Sequence, residues 1–333
     1  MGSLLFQKCA TFVKKRTAIM LDHIHIENFR LFKMLDIPKV GQVNLITGKN
    51  NAGKTTLLEA LRLWGNRTSA VNIYSTIDLL LRSRDQENGT TEDAYKSLFL
   101  DYNANLPIQI NDLIKIEFEK KTPPALLLES PGGNMGKYTN QITNEPTNDV
   151  SFYIPASFDL TNARLWKNMV LNPAKKEKTL DILRIIEPKL SDLFVDTGTN
   201  SAIVSLGNSP QTFPLRTFGE GMNRLLSIAL GLVSAENNML LIDEIDLGLH
   251  HSVQHTLWEI VFQKARDLNV QVFATTHSSD CVEAFSDIAN KLEYNGMGNY
   301  IRLQRSKKDG NIMAVDYEME QLERSLEFNS ETR

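Results

Sequence analysis

Residues 48–55 read GKNNAGKT, and this octapeptide limits what the chain can be more than any other part of its sequence. It fits G-x-x-x-x-G-K-[ST] in full and lies between an apolar run (QVNLIT, 42–47) and a segment with helical spacing from Lys54 to about Trp64. Gly48 and Gly53 permit the turn that aims the backbone N–H groups of Asn50, Asn51 and Ala52 at phosphate oxygens, and the following helix adds the partial positive charge of its N-terminus. Lys54 reaches β- and γ-phosphates, the Thr55 hydroxyl ligates Mg²⁺, and Thr56 assists from the next position. A glycine turn that only opens a helix needs neither lysine nor threonine there. The expected ligand is ATP with Mg²⁺, since no N-K-x-D guanine-reading motif appears.

Far along the chain, MLLIDEID (239–246) ends an apolar run in Asp243 and Glu244. That places two carboxylates at the C-terminal end of a buried strand, where open parallel sheets bind ligands. Asp243 is expected to hold Mg²⁺, directly or through water, and Glu244 to polarise an attacking water as general base. Asp-Glu after apolar residues is a weak signal alone and a strong one in this order after a phosphate loop. The strand VQVFATT (270–276) then ends at His277, placed to donate a hydrogen bond to a γ-phosphate. His23 and His25 read as exposed strand positions. His250, His251 and His255 have a faintly metal-like spacing but no cysteine partner, so no zinc site is expected.

The remaining pattern is strands alternating with helices, which implies a mostly parallel sheet. DHIHIEN (22–28) alternates like a strand, and SFYIP (151–155) reads as a core strand. Between them, residues from about 66 to 149 read as an irregular insertion lying on the core, with strand-like runs at 112–119 and 125–130 and a turn-rich piece at 130–140. Apolar spacing from Lys175 to Phe194, broken by Pro188, predicts two short helices within a helical lid at about 160–196. Helices are expected at 221–235, 252–267 and 279–291, and closing strands near 299–305 and 311–317. Residues 1–20 read as an N-terminal extension and 21–333 as the working unit. No repeat and no heptad run for a coiled-coil arm is present.

The formal net charge of −4 gives no global basic field for nucleic acid, although a local basic face is compatible with it. Two cysteines, Cys9 and Cys281, exclude a disulfide framework and suit a reducing cytoplasm. No apolar run reaches the roughly 20 residues of a membrane helix. The N-terminus puts its apolar patch before Lys14, Lys15 and Arg16, the reverse of a secretory signal. A cytoplasmic protein without membrane partners is the expectation.

Together, LDHIHIENFRLF, VNLITGKNNAGKTTLLEAL, FGEGMNRLLSIA, LLIDEIDLGLH and FATTHSSD resemble the ABC-type ATPase heads of the RecF/SMC superfamily. The nearest likeness is to the small family of overcoming-lysogenization-defect (OLD) ATPases and related phage-defence ATPases. The resemblance covers residues 21–333 apart from the insertion. It implies an α/β P-loop NTPase fold with an antiparallel N-terminal β subdomain beside the mostly parallel core sheet. It also implies that Gly219 to Arg224, with Gly219, Gly221 and Asn223 as contact residues, form a signature segment that caps the γ-phosphate held by a second subunit. Leu247 to His250 would lie across that interface, and the working form would be a homodimer closed on two shared nucleotides.

Three departures stand out. Gly219 replaces the serine of transporter-type signatures. No glutamine is identified for Mg²⁺ sensing, Ser157 being a weak substitute. Many relatives carry a TOPRIM nuclease domain or coiled-coil arms, and after His277 neither is expected here. The resemblance therefore implies an ATPase head that drives or regulates a separate effector, such as a TOPRIM-type nuclease, in phage defence or DNA maintenance. Two alternatives are the nucleotide-binding subunit of a membrane transporter and a regulatory module that holds ATP without turnover. The ENFRLF opening and FGEGM weigh against the first, and Glu244 against the second.

Overall fold

The structure is a computed structural model that describes residues 20–67, 70–82, 90–130, 134–139, 151–155, 161–199, 201–207, 209–317 and 322. Ser157 and the first 19 residues lie outside these. The described chain opens with a hairpin of β1 (Ile24–Phe29) and β2 (Phe32–Ile37). Next, β3 (Val43–Gly48) runs through the phosphate loop into α1 (Lys54–Gly65). Helices α2 (Ala70–Arg82) and α3 (Thr91–Lys96) follow, the latter closed at its start by a capping box between Thr90 and Asp93.

The stretch expected to be an irregular insertion is more regular than its composition suggests. Besides these helices it holds β4 (Ile108–Ile110), β5 (Ile114–Glu119), β6 (Ala125–Ser130) and β7 (Asn134–Tyr138). These strands extend the first hairpin into an antiparallel sheet of order β2-β1-β4-β5-β6-β7, with Ile26 opposite Ile110.

From β8 (Ser151–Ile154) the chain passes through α4 (Thr161–Met169) and α5 (Pro173–Arg184). The second short helix expected before Phe194 is instead a strand, β9 (Leu190–Asp196), paired with β10 (Ser201–Leu206) and through it with β11 (Thr212–Pro214). Leu190 and Leu193 are both buried, a three-residue spacing that imitates a helix, because the ladder shifts register between them, where β9 carries Ser191 as an extra residue against β10. The rest alternates: α6 (Glu220–Ser234), β12 (Met239–Ile242), α7 (Gln254–Asp267), β13 (Gln271–Thr275), α8 (Ser279–Ala289), β14 (Gly298–Arg305) and β15 (Ile312–Tyr317).

The core sheet runs β15-β14-β3-β13-β12-β8, parallel throughout except for the β14–β15 hairpin. It is covered on both faces, and side chains alternate between two cores as a pleated strand dictates. Leu240, Ile242, Val272 and Ala274 face the core built with α4 to α8. Met239, Leu241 and Phe273 face the one built with α1 and the antiparallel sheet. This order sets the phosphate loop on β3 beside the C-terminal end of β13, with the end of β12 one strand further on. Among the described residues, no helix is long and apolar enough to cross a membrane.

Candidate nucleotide-binding site

Helix α1 starts after Gly53, which sits at φ 94° in the left-handed region that favours glycine. A β-carbon there would press on the Phe32 ring at 2.8 Å, so the loop is closed from below as well. No side chain caps this helix start, which leaves its first N–H groups for a ligand. The sheet then brings together what the sequence separates. A cavity of about 990 Å³ is lined by Asn50, Asn51, Gly53, Lys54, Thr55 and Thr56 on one side and by Asp243, Glu244 and His277 on the other.

Within it, Lys54 Nζ donates to the Gly48 and Lys49 carbonyls at 2.9 and 3.3 Å and stands 3.4 Å from His277 Nδ1. Burial pulls its pKa below the ordinary lysine value, against the opposing charges of Asp243 and Glu244. The Thr55 hydroxyl donates to Asp243 Oδ2 at 3.0 Å, and Thr275 Oγ1 donates to Asp243 Oδ1 at 2.6 Å. These hard oxygen donors suit Mg²⁺, which takes one or two carboxylates and completes its shell with phosphate and water. No group of three or more His, Cys, Asp or Glu side chains among the described residues forms a metal cage. His255, from the faintly metal-like trio, pairs with Asp287 instead.

Glu244 leaves the strand end with φ 50°, a conformation uncommon for glutamate. Its amide is held by Thr275 Oγ1 at 2.8 Å, and its carboxylate lies 3.9 Å from His277 Nε2 at the open side of the cavity. A water between Glu244 and a γ-phosphate would meet a base on one side and His277 on the other.

Gly219, Gly221 and Asn223 do not line this cavity. Gly219 (φ 99°) begins α6, again with no side-chain cap, and with Gly221 it borders a second, apolar cavity next to Gly248, Leu249 and Phe218. A β-carbon on Gly221 would meet Leu249 Cδ2 at 3.0 Å. A side chain here would have to displace Leu249 of the same subunit slightly, an intrachain crowding that the sequence alone does not reveal.

Other wall residues escaped the sequence reading: Arg30, Leu31, Phe99, Asp101, Tyr102 and Arg305. Arg30 is buried and ion-paired to Glu59 of α1 at 3.1 Å. Its place in ENFRLF was the only available signal. Asp101 and Tyr102 are consecutive left-handed residues (φ 49° and 58°) that present an exposed ring at the rim, in a loop with no glycine to announce it.

Two family models match the chain: "AAA ATPase domain" over residues 20–155 and "AAA domain, putative AbiEii toxin, Type IV TA system" over residues 138–281. An "ATP/GTP phosphatase" of Helicobacter pylori is 24% identical over 83% of this chain and 90% of its own length. The "DNA replication and repair protein RecF" of Lactobacillus acidophilus is 51% identical over 41 residues, 12% of this chain and 11% of that one. Among solved structures, an SMC head bound to the C-winged helix domain of ScpA superposes with a TM-score of 0.53 at 13% identity, over 91% of this chain and 99% of that one. The SMC head domain of Thermotoga maritima gives 0.50 at 12% identity, over 90% and 100%. Fold, phosphate loop and family models agree on a nucleotide-binding P-loop ATPase with the architecture of an SMC head.

Proposed function

We propose that the chain binds ATP with Mg²⁺, hydrolyses it, and works as a homodimer that closes on two shared nucleotides to drive or regulate a separate effector. The observation that carries this is the convergence of Lys54, Thr55, Asp243, Glu244 and His277 on one cavity from three neighbouring strand ends. In this reading Lys54 and the α1 amides hold the phosphates. Thr55 and Asp243 would hold Mg²⁺, which would supply charge neutralisation on the phosphates. Glu244 takes the proton of the attacking water. His277, within reach of both Lys54 and Glu244, donates to the γ-phosphate.

Dimer closure draws support from α6, whose uncapped, glycine-led start lies outside its own phosphate cavity. Its free amides suit a phosphate presented by another subunit. The likeness to the Helicobacter pylori ATP/GTP phosphatase supports nucleotide hydrolysis, and the ScpA-bound SMC head supports a protein partner. The AbiEii and RecF matches fit a setting in phage defence or DNA maintenance, with a TOPRIM-type nuclease as the effector suggested by the OLD-like motifs.

The direct test is calorimetry with ATP and a phosphate-release assay. ATP is expected to bind, and turnover to stop when EDTA removes Mg²⁺. No binding at millimolar ATP would refute the assignment. The rim residue Tyr102, 59% exposed, gives the purine a face to stack on. Tyr102→Ala is therefore expected to weaken ATP about tenfold, a typical worth of one aromatic–base stack. Inorganic triphosphate should bind wild type and variant alike. An equal loss for both ligands would remove Tyr102 from base recognition.

A further inference from the structure

Arg224, one turn into α6, is among the largest fully buried side chains, at 1% exposure. Among the described residues no carboxylate lies within ion-pairing distance of it. Its guanidinium is spent on backbone carbonyls: Nη1 donates to Pro155 at 2.9 Å, and Nη2 to Asp243 at 2.5 Å and Glu244 at 2.8 Å. Burial pulls its pKa down, and Asp243, Asp246 and Glu244 offset this only through space; a hydrophobic side chain of similar size would fill the position without that desolvation. The geometry instead uses the rigid fork of arginine to span two adjacent strand ends, those of β8 and β12.

The third of these carbonyls belongs to Glu244. That residue sits in a left-handed backbone conformation, its amide fixed by Thr275 and its carbonyl by Arg224. The peptide groups on either side of the catalytic side chain are thus pinned from two elements. One of them is the helix that begins at Gly219 and Gly221.

Resting on the nucleotide reading above, we infer that Arg224 is a positioning residue that ties the aim of Glu244 to the position of the α6 N-terminus. A displacement of the first turn of α6 carries the guanidinium with it and shifts the Asp243–Glu244 backbone, because the three hydrogen bonds leave the strand ends no independent movement. In a closed dimer, α6 of one subunit meets the nucleotide held by the other, whereas Glu244 of that subunit serves its own nucleotide. Engagement at one site then sets the base at the other, and the two sites fire as a coupled pair.

The test uses the full chain and the variant Arg224→Lys, which keeps the charge but offers a point donor that cannot span three carbonyls. Turnover is expected to fall on the order of 10–10²-fold, as for a small misplacement of a reacting group, with ATP affinity changed less than about threefold and the Hill coefficient for ATP lowered towards one. Made in a Glu244→Gln background, the same change should add no further loss, since it acts through that side chain. A full independent loss there, or wild-type kcat in the single variant, overturns the coupling. A wild-type chain that binds no nucleotide overturns the underlying reading instead, and this inference with it. Should Arg224→Lys not fold, hydrogen exchange on the unaltered chain decides. With ATPγS, protection over 219–226 and over 239–246 must change together, and a change confined to one segment overturns the proposal.

Discussion

Lys54→Ala is expected to abolish measurable ATP binding. The ammonium is the point charge at the heart of the phosphate loop, held there by the Gly48 and Lys49 carbonyls and kept partly dry by burial. Each hydrogen bond to a charged group contributes about 1.5–3 kcal/mol, so losing the contacts to two phosphates should weaken binding on the order of 10²–10⁴-fold. Calorimetry with Mg²⁺ and ATP is the measurement. Undiminished affinity would show that the cavity does not hold a triphosphate in this orientation. The variant should still fold, because the loop keeps its own backbone hydrogen bond from Ala52 to the Lys49 carbonyl.

Glu244→Gln should leave ATP bound and slow its hydrolysis on the order of 10²–10⁴-fold, the usual contribution of a general base. The amide is isosteric and its backbone clamps, Thr275 and Arg224, are untouched. Loss of turnover without loss of affinity therefore isolates the carboxylate. Because closure then no longer ends in hydrolysis, ATP should accumulate a dimer detectable by light scattering. A monomer with ATP bound would contradict the shared-site mechanism, and unchanged turnover would remove Glu244 from the role of base.

The parts of this site that sequence reveals are those in which chemistry is local. GKNNAGKT carries its own geometry, and MLLIDE and VQVFATT are short apolar runs because strands covered on both faces must be apolar throughout. Where a segment is covered on one face only, the signal fades. Strands β5 and β6 show as strand-like runs, but the three-residue β4 and β7, which falls in the turn-rich piece, read as irregular although they complete a sheet. Helix α2 has Ile73, Ile77 and Leu80 at helical spacing, but Asn72, Ser75 and Thr76 are buried among them and break the apolar stripe. Thr76 is accommodated there by hydrogen bonds with Asn66 and the Asn72 carbonyl. Tyr102 left no trace at all, since its place at the rim depends on two consecutive left-handed residues that are not glycine. Arg224 lies within the segment that resembles a signature, but a grip on three carbonyls just past the ends of β8 and β12 is a property of the fold, not of the neighbouring residues.

The place of β3 in the middle of the core sheet bears on how the molecule is made. Val43 pairs with Val272 on one side and Gly298 on the other, and Thr55 meets Asp243 across 188 positions of chain. The phosphate loop leaves the ribosome before either of the strands that flank β3, namely β13 and β14, is synthesised. A nascent fragment ending before β12 carries the whole GKNNAGKT motif and no ATPase site. Loop closure across such separations is slow and opposed by chain entropy, so nucleotide cannot rescue intermediates that lack the second half of the sheet. Once β13 and β14 have docked, ATP stabilises the finished sheet by mass action, through contacts that join its earliest and latest strands.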